Sequence, residues 1–327
     1  MDGFVKMDIQ IIFFKTIYKF ANLLVIFFFA FLIYGCAESN PPTVEALGST
    51  EVSGSITTDT IWDIAHSPYI AKSDIIVERS ATLILHPGVE VRFDGFYGFI
   101  VKGVLIANGM TEIQQPETNQ GVASLDIRLE TLDDYIITFT STNTDPEIKD
   151  WKGIEFQNTN DDKSFLRYVK VEYAETGVNI FSSSPKIMDC FIMNNYRGIQ
   201  SYGSKPTIMN NLIKDNTIGI IMKGRGRTVI SKNVITQNEI GLILYMEGVE
   251  VKQNNLADNF DYAIRVAYKA QRKISALDNW WGSTVVDDIE RQIYDNLDDA
   301  KLARVSFAPF AKFPFTDAGP DSLLPSN

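Results

Sequence analysis

From about Phe165 to Ile264 the apolar positions of the chain recur every 21 or 22 residues. One aliphatic column reads Leu166, Ile187, Ile208, Ile230, Val251, and a second reads Val171, Ile192, Ile213, Ile235, Leu256. In step with them run a polar column, Ala174, Asn195, Asn216, Asn238, Asn259, and a glycine column, Gly177, Gly198, Gly219, Gly241, which slips by one residue at Ala263. Within each period the apolar residues keep the short alternating spacing of β-strands of about three to five residues, divided by turn residues, with no stretch for a helix. This pattern predicts an all-β solenoid in which each repeat is one coil, a parallel β-helix. Coils stack roughly 4.8 Å apart, so equivalent side chains form ladders, aliphatic inside and amide at the turns.

Less regular coils precede the strict repeats. Strands are expected near Ile75–Val77, Thr82–Leu85, Val89–Phe93, Phe99–Val101 and Val104–Ala107; a polar insertion at 109–130 interrupts them, and 135–140 and Trp151–Phe156 resume the stack. At the far end, Ile289, Ile293 and Leu297 share one helical face in 286–298, with Asp287 and Asp288 near the N-terminus. An amphipathic helix there would cover the apolar end of the last coil.

Two segments outside the strict repeats carry a family likeness. Asp278-Asn279-Trp280-Trp281-Gly282-Ser283, followed by the short helix and Val305-Ser306-Phe307-Ala308-Pro309-Phe310, resembles the ending of right-handed parallel β-helix repeat proteins of the pectin-lyase-like superfamily, and Ser80–Phe93 resembles their opening coil. The resemblance covers about 52–311 and implies a right-handed parallel β-helix with a short C-terminal capping helix. It implies no single activity, because the superfamily holds lyases, hydrolases and adhesins. It also gives Trp280 and Trp281 a packing role before the cap.

The N-terminus suggests a location. Lys6, Lys15 and Lys19 precede an apolar run from Phe20 to Tyr34, and Gly35-Cys36 follows. A basic segment, an apolar segment and a small residue before cysteine form a bacterial lipoprotein signal, 1–35, with Cys36 lipidated; a membrane anchor is the competing reading. Ala37 in place of Asp favours the outer membrane. The polar, Pro-containing stretch 36–50 then serves as a flexible tether to a body at 51–311, and 312–327 is a Pro-containing tail.

Composition narrows the partners. The net charge of −11 becomes −12 once 1–35 leave with three Lys and two Asp, which disfavours nucleic acid. Cys36 and Cys190 are the two cysteines, so no disulfide framework is expected, and Cys190 falls in an inward column with Val169, Asn211, Asn233 and Asn254 as a core thiol.

The side chains between inward positions after the column glycines face out. They form one surface column of Asn179, Gln200, Ile221, Ile243, Arg265 and another of Phe181, Tyr202, Lys223, Tyr245. Aromatics and a lysine beside amides stack on sugar rings and bond their hydroxyls, whereas the two isoleucines suit a covering loop or partner protein. The candidate ligand residues are Phe181, Gln200, Tyr202, Lys223, Arg225, Arg227 and Tyr245, the two arginines adding a carboxylate or phosphate clamp. Asn195, Asn216, Asn238 and Asn259 are expected to satisfy one another as a structural ladder. Glu155, Glu172, Asp189, Asp215 and Asp258 are expected to face out on scattered columns, without the paired carboxylates of a glycosidase. His66 and His86 are isolated, and no metal or cofactor motif is present. The expectation is an envelope-anchored protein that binds or scaffolds polysaccharide. A polysaccharide lyase, hydrolase or epimerase, and an adhesin or assembly protein contacting an envelope partner, remain as alternatives.

Overall fold

The structure, a computed structural model, describes residues 48–109, 135–159, 163–224, 227–246, 248–268 and 273–321. The expected signal segment, Cys36, most of the expected tether and insertion, Arg225 and the end of the expected tail lie outside the described residues. The described chain winds into a right-handed parallel β-helix whose coils have three faces. In one coil Lys186–Met188 lies on face I, Phe191–Met193 on face II and Arg197–Tyr202 on face III. Face I is a ten-stranded sheet. Faces II and III form a second sheet of 16 strands, joined through the long strand Tyr69–Val77. Its first half pairs with Glu90–Phe93 on face II and its second half with Gly98–Val101 on face III.

Parallel pairing in register puts the period into the core. Leu166, Ile187, Ile208, Ile230 and Val251 stack on face I, and Val171, Ile192, Ile213, Ile235 and Leu256 stack on face II, all fully buried. On face III, Val178, Ile199, Ile220, Leu242 and Ile264 do the same. Each aliphatic stack removes its side chains from water at about 2 kcal/mol apiece. In the irregular first coils, rings replace the aliphatic ladders: Trp62 stacks on Tyr69 at 4.4 Å and Phe93 on Trp151 at 4.0 Å.

Glycine is required where coils touch by backbone. A Cβ on Gly198 would lie 2.5 Å from the Gly219 carbonyl oxygen, and one on Gly219 would lie 2.5 Å from that of Gly241. The column continues at Ala263, because Leu242 pairs with Ile264 and the extra residue after Asn259 is absorbed at the corner, where Phe260 is exposed.

Helix α1 (Val286–Arg291) closes the last coil and is shorter than the 286–298 expected. The chain leaves it to pair Ile293–Tyr294 with Ile264–Arg265, so Ile293 is buried as a strand residue and Leu297 stays exposed. Trp281, 1% exposed, packs edge-on against Phe307. Residues 311–321 then turn back along the corner between faces I and II. The Ala311 N–H donates to the Asn279 carbonyl, Asn255 exchanges two bonds with the Phe315 backbone, and Lys232 holds Asp317 at 2.7 Å. Asp321 lies 3.7 Å from Arg167, so this strap crosses several coils.

Candidate functional site

The corners determine which side chains reach the surface. Two columns of residues with positive φ turn the chain, Tyr168, Asp189, Asn210, Lys232, Gln253 and Asp278 between faces I and II, and Tyr173, Asn194, Asp215, Gln237 and Asp258 between faces II and III. A non-glycine residue in the left-handed region is costly unless its surroundings hold it there. At all of these corners except Tyr168, Tyr173 and Asp189, what holds it is the asparagine that follows. Asn216 Oδ1 accepts from the N–H and the amide of Asn195 at 3.0 and 3.1 Å, while its own amide donates to the carbonyls of Ile192 and Lys214 and to Asn238 Oδ1. Asn195, Asn238 and Asn259 repeat the scheme. With their amide groups engaged and Asn195, Asn216 and Asn238 buried, these three side chains are not available to a ligand, and Asn259 ends the ladder half-buried.

A second ladder of the same design runs through Asn211, Asn233, Asn254 and Asn279. Its signal was in plain sight, since Asn recurs five residues ahead of the first ladder at 211, 233 and 254. Cys190 heads this ladder. Its N–H donates to Asn211 Oδ1, its thiol donates to the Met188 carbonyl at 3.1 Å, and complete burial pushes its pKa up to about 12. It is an inert core thiol.

Face III carries the longest strands of the strict coils, and their outward positions line up as expected. Asn179 pairs with Gln200 and Phe181 with Tyr202; Gln200 then pairs with Ile221, and Tyr202 with Lys223. The Phe181 and Tyr202 rings stack at 5.5 Å and 8°. Lys223 Nζ sits 4.9 Å from the Tyr245 ring centre. Tyr202, Gly203, Lys223, Gly224 and Tyr245 line an open depression of about 650 Å3. Phe181, Tyr202 and Tyr245 are 43%, 51% and 41% exposed, so a flat apolar strip faces water. Beside it runs a polar row in which Gln200 donates to Asn179 and Asn179 donates to Glu155. Arg227 is exposed.

The neighbouring isoleucines differ from expectation. Ile221 and Ile243 point outward in register, yet they are 3% and 6% exposed, because Ile218, Ile240, Tyr262 and Ala267 close around them in a small external cluster. They therefore flank the strip without extending it.

Four of the five acids expected to face out meet different partners. Asp189 is a correction: it is buried at a corner and does not face out. Arg167 donates to it from Nε at 2.8 Å and to the Tyr168 hydroxyl from Nη2. Burial raises the Asp189 carboxyl above its usual range, and the guanidinium opposes that only in part. Glu172 accepts from the Thr140 hydroxyl, and Asp215 pairs with Lys214 at 3.0 Å. His66 Nδ1 is 2.7 Å from Asp63. Among the described residues no three His, Cys, Asp or Glu side chains converge as a metal site.

Protein bark beetle of Drosophila melanogaster is 39% identical over 72 residues, which is 22% of this chain and 2% of that protein, so the chain spans a very small part of that relative. A solved mutant of the periplasmic alginate epimerase AlgG overlays 79% of this chain and 70% of its own, at 13% identity and a TM-score of 0.39. Residues 115–296, more than half of the sequence, match the family described as periplasmic copper-binding protein (NosD), and the chain belongs to that family.

Proposed function

We propose that this protein is an envelope-anchored lipoprotein that binds a polysaccharide chain along face III without cleaving it. The observation that carries the reading is the exposed column of Phe181, Tyr202, Lys223 and Tyr245, with stacked rings, a lysine and an adjacent amide row over an open depression. Flat rings offer large apolar area to the faces of sugars at little entropic cost, and amides and lysine suit their hydroxyls. The scattered acids favour binding over hydrolysis, which needs two carboxylates roughly 5 to 9.5 Å apart across the scissile bond. The periplasmic description of the family supports an envelope location, and the apolar run ending at Cys36 supports a lipid anchor, with the outer membrane favoured by Ala37.

The family description also names copper. The donors among the described residues do not fit a copper centre: the thiol of Cys190 is buried and strongly protonated, and no three imidazole, thiolate or carboxylate groups converge.

The test uses the full chain in detergent against immobilised acidic and neutral polysaccharides, recording retention and the release of reducing or unsaturated ends. Retention without product, lost in Tyr202→Ala and Tyr245→Ala, is the expected result. Product would make the protein an enzyme, and absence of both would move the column to a protein partner.

A further inference from the structure

Gly203 borders two depressions. One is the aromatic groove, and the other, of about 320 Å3, opens at the corner after face III, where Thr159, Ser182, Ser184 and Lys205 also line it. The corner is held by a short hydroxyl ladder. Ser183 and Ser204 donate to the carbonyls of Phe181 and Tyr202, both at 2.9 Å, and accept from the N–H groups of Thr159 and Ser183. Those two hydroxyls are fully engaged. The hydroxyls of Ser182 and Ser184 make no hydrogen bond among the described residues, and Thr159 Oγ1 at the floor is buried without a partner. A buried polar atom of this kind is an unmet demand for a hydrogen bond.

Charge points to what would meet it. Lys205 lines the corner and Lys223 the adjoining groove, and among the described residues neither has a carboxylate within ion-pair distance. In a chain of net charge −11, two uncompensated ammonium groups on either side of one glycine favour an outside anion there. Gly203 turns the chain between the two depressions with a φ of +61°, and a Cβ there would meet nothing within 4 Å, so the stretch between them is open.

We infer that the Ser182–Ser184–Lys205 corner is an oxyanion subsite, and that the glycan held on the face III column carries carboxylate or sulfate groups. This rests on the polysaccharide reading above. The sugar ring lies on Tyr202, its charged group reaches past Gly203, and the free hydroxyls and Lys205 bind its oxygens.

The experiment compares the full chain in detergent with three probes of equal length: an oligogalacturonate, a sulfated dextran oligosaccharide and a neutral cello-oligosaccharide. At least one charged probe should bind about tenfold more tightly than the neutral one, a gap that closes near about 0.5 M NaCl. Lys205→Gln, at an exposed position, should narrow the gap by about threefold or more, and whichever charged probe is affected identifies the group. Glycan binding that needs Tyr202 but shows no gap, or a gap that Lys205→Gln leaves unchanged, overturns the subsite alone. Failure of all three probes to bind overturns the polysaccharide reading and the subsite with it.

Discussion

Asn216 shows how much one side chain does in this fold. It takes two donors from Asn195 and gives its amide to two carbonyls and to the next rung. Asn216→Ala leaves buried donors and acceptors unmatched, each at about 1–3 kcal/mol, so urea unfolding should show a loss of about 3 kcal/mol or more. Lys214→Ala, which removes a surface ammonium one turn away, should stay within about 0.5 kcal/mol. Asp189 makes the opposite case. Its folded pKa lies above the unfolded value, so the folded state favours its neutral form; that contribution is complete below about pH 4 and is lost as pH rises through the folded pKa. Asp189→Asn should therefore gain stability relative to the parent between about pH 3.5 and pH 7, measured by urea midpoints. A gain of equal size at both pH values would remove the titration argument. Asp94 and Asp317 work the other way, held below the usual range by Lys72 and Lys232, so their support disappears as pH falls through their folded pKa values. The contrast explains why the asparagines were legible in the sequence and Asp189 was not. A ladder needs the same residue in every coil and prints itself as a column. Strict alternation of inward and outward residues fails at left-handed corner positions, where Asp189 sits.

Elements that repeat were readable, and elements that close the fold were less so. The strict coils follow from pairing of like positions, and the strands at Thr82–Leu85 and Gly98–Val101 follow from alternation. Helix α1 was overextended because Ile293 satisfies a helical period and a strand equally well, and pairing with Ile264 decides for the strand. The strap at 311–321 left no trace in the pattern, since backbone groups and scattered ion pairs make its contacts. Its hold can be tested at Asn255, which binds the Phe315 N–H at 2.9 Å and its carbonyl at 3.0 Å. Losing two hydrogen bonds of about 1 kcal/mol each should raise chymotrypsin cleavage after Phe315 about thirtyfold in Asn255→Ala. Glycan retention should not change, because the strap follows the corner between faces I and II and the column lies on face III. Equal cleavage rates would assign the anchoring to Lys232 and Asp317.

At the scale of the whole molecule the solenoid converts a sequence period into a spatial one, which makes the proposed binding strip a measuring device. Phe181, Tyr202, Lys223 and Tyr245 occupy four successive coils, and at roughly 4.8 Å per coil they span about 14 Å along the stack. Toward the N-terminal end the column passes to Gln157, and beside it the amide row ends at Glu155. An extended glycan aligned with the stack would meet one rung per sugar. Affinity should climb with each sugar up to about four and then level off, since a fifth would find no further rung of the column. Titration calorimetry on a length series reads this directly. Affinity already complete with a single sugar would mean a lone pocket at Tyr202 and Tyr245, and a continued rise beyond six would mean that the ligand crosses onto another face. Leveling near four would tie the length of the binding strip to the number of coils that carry the column.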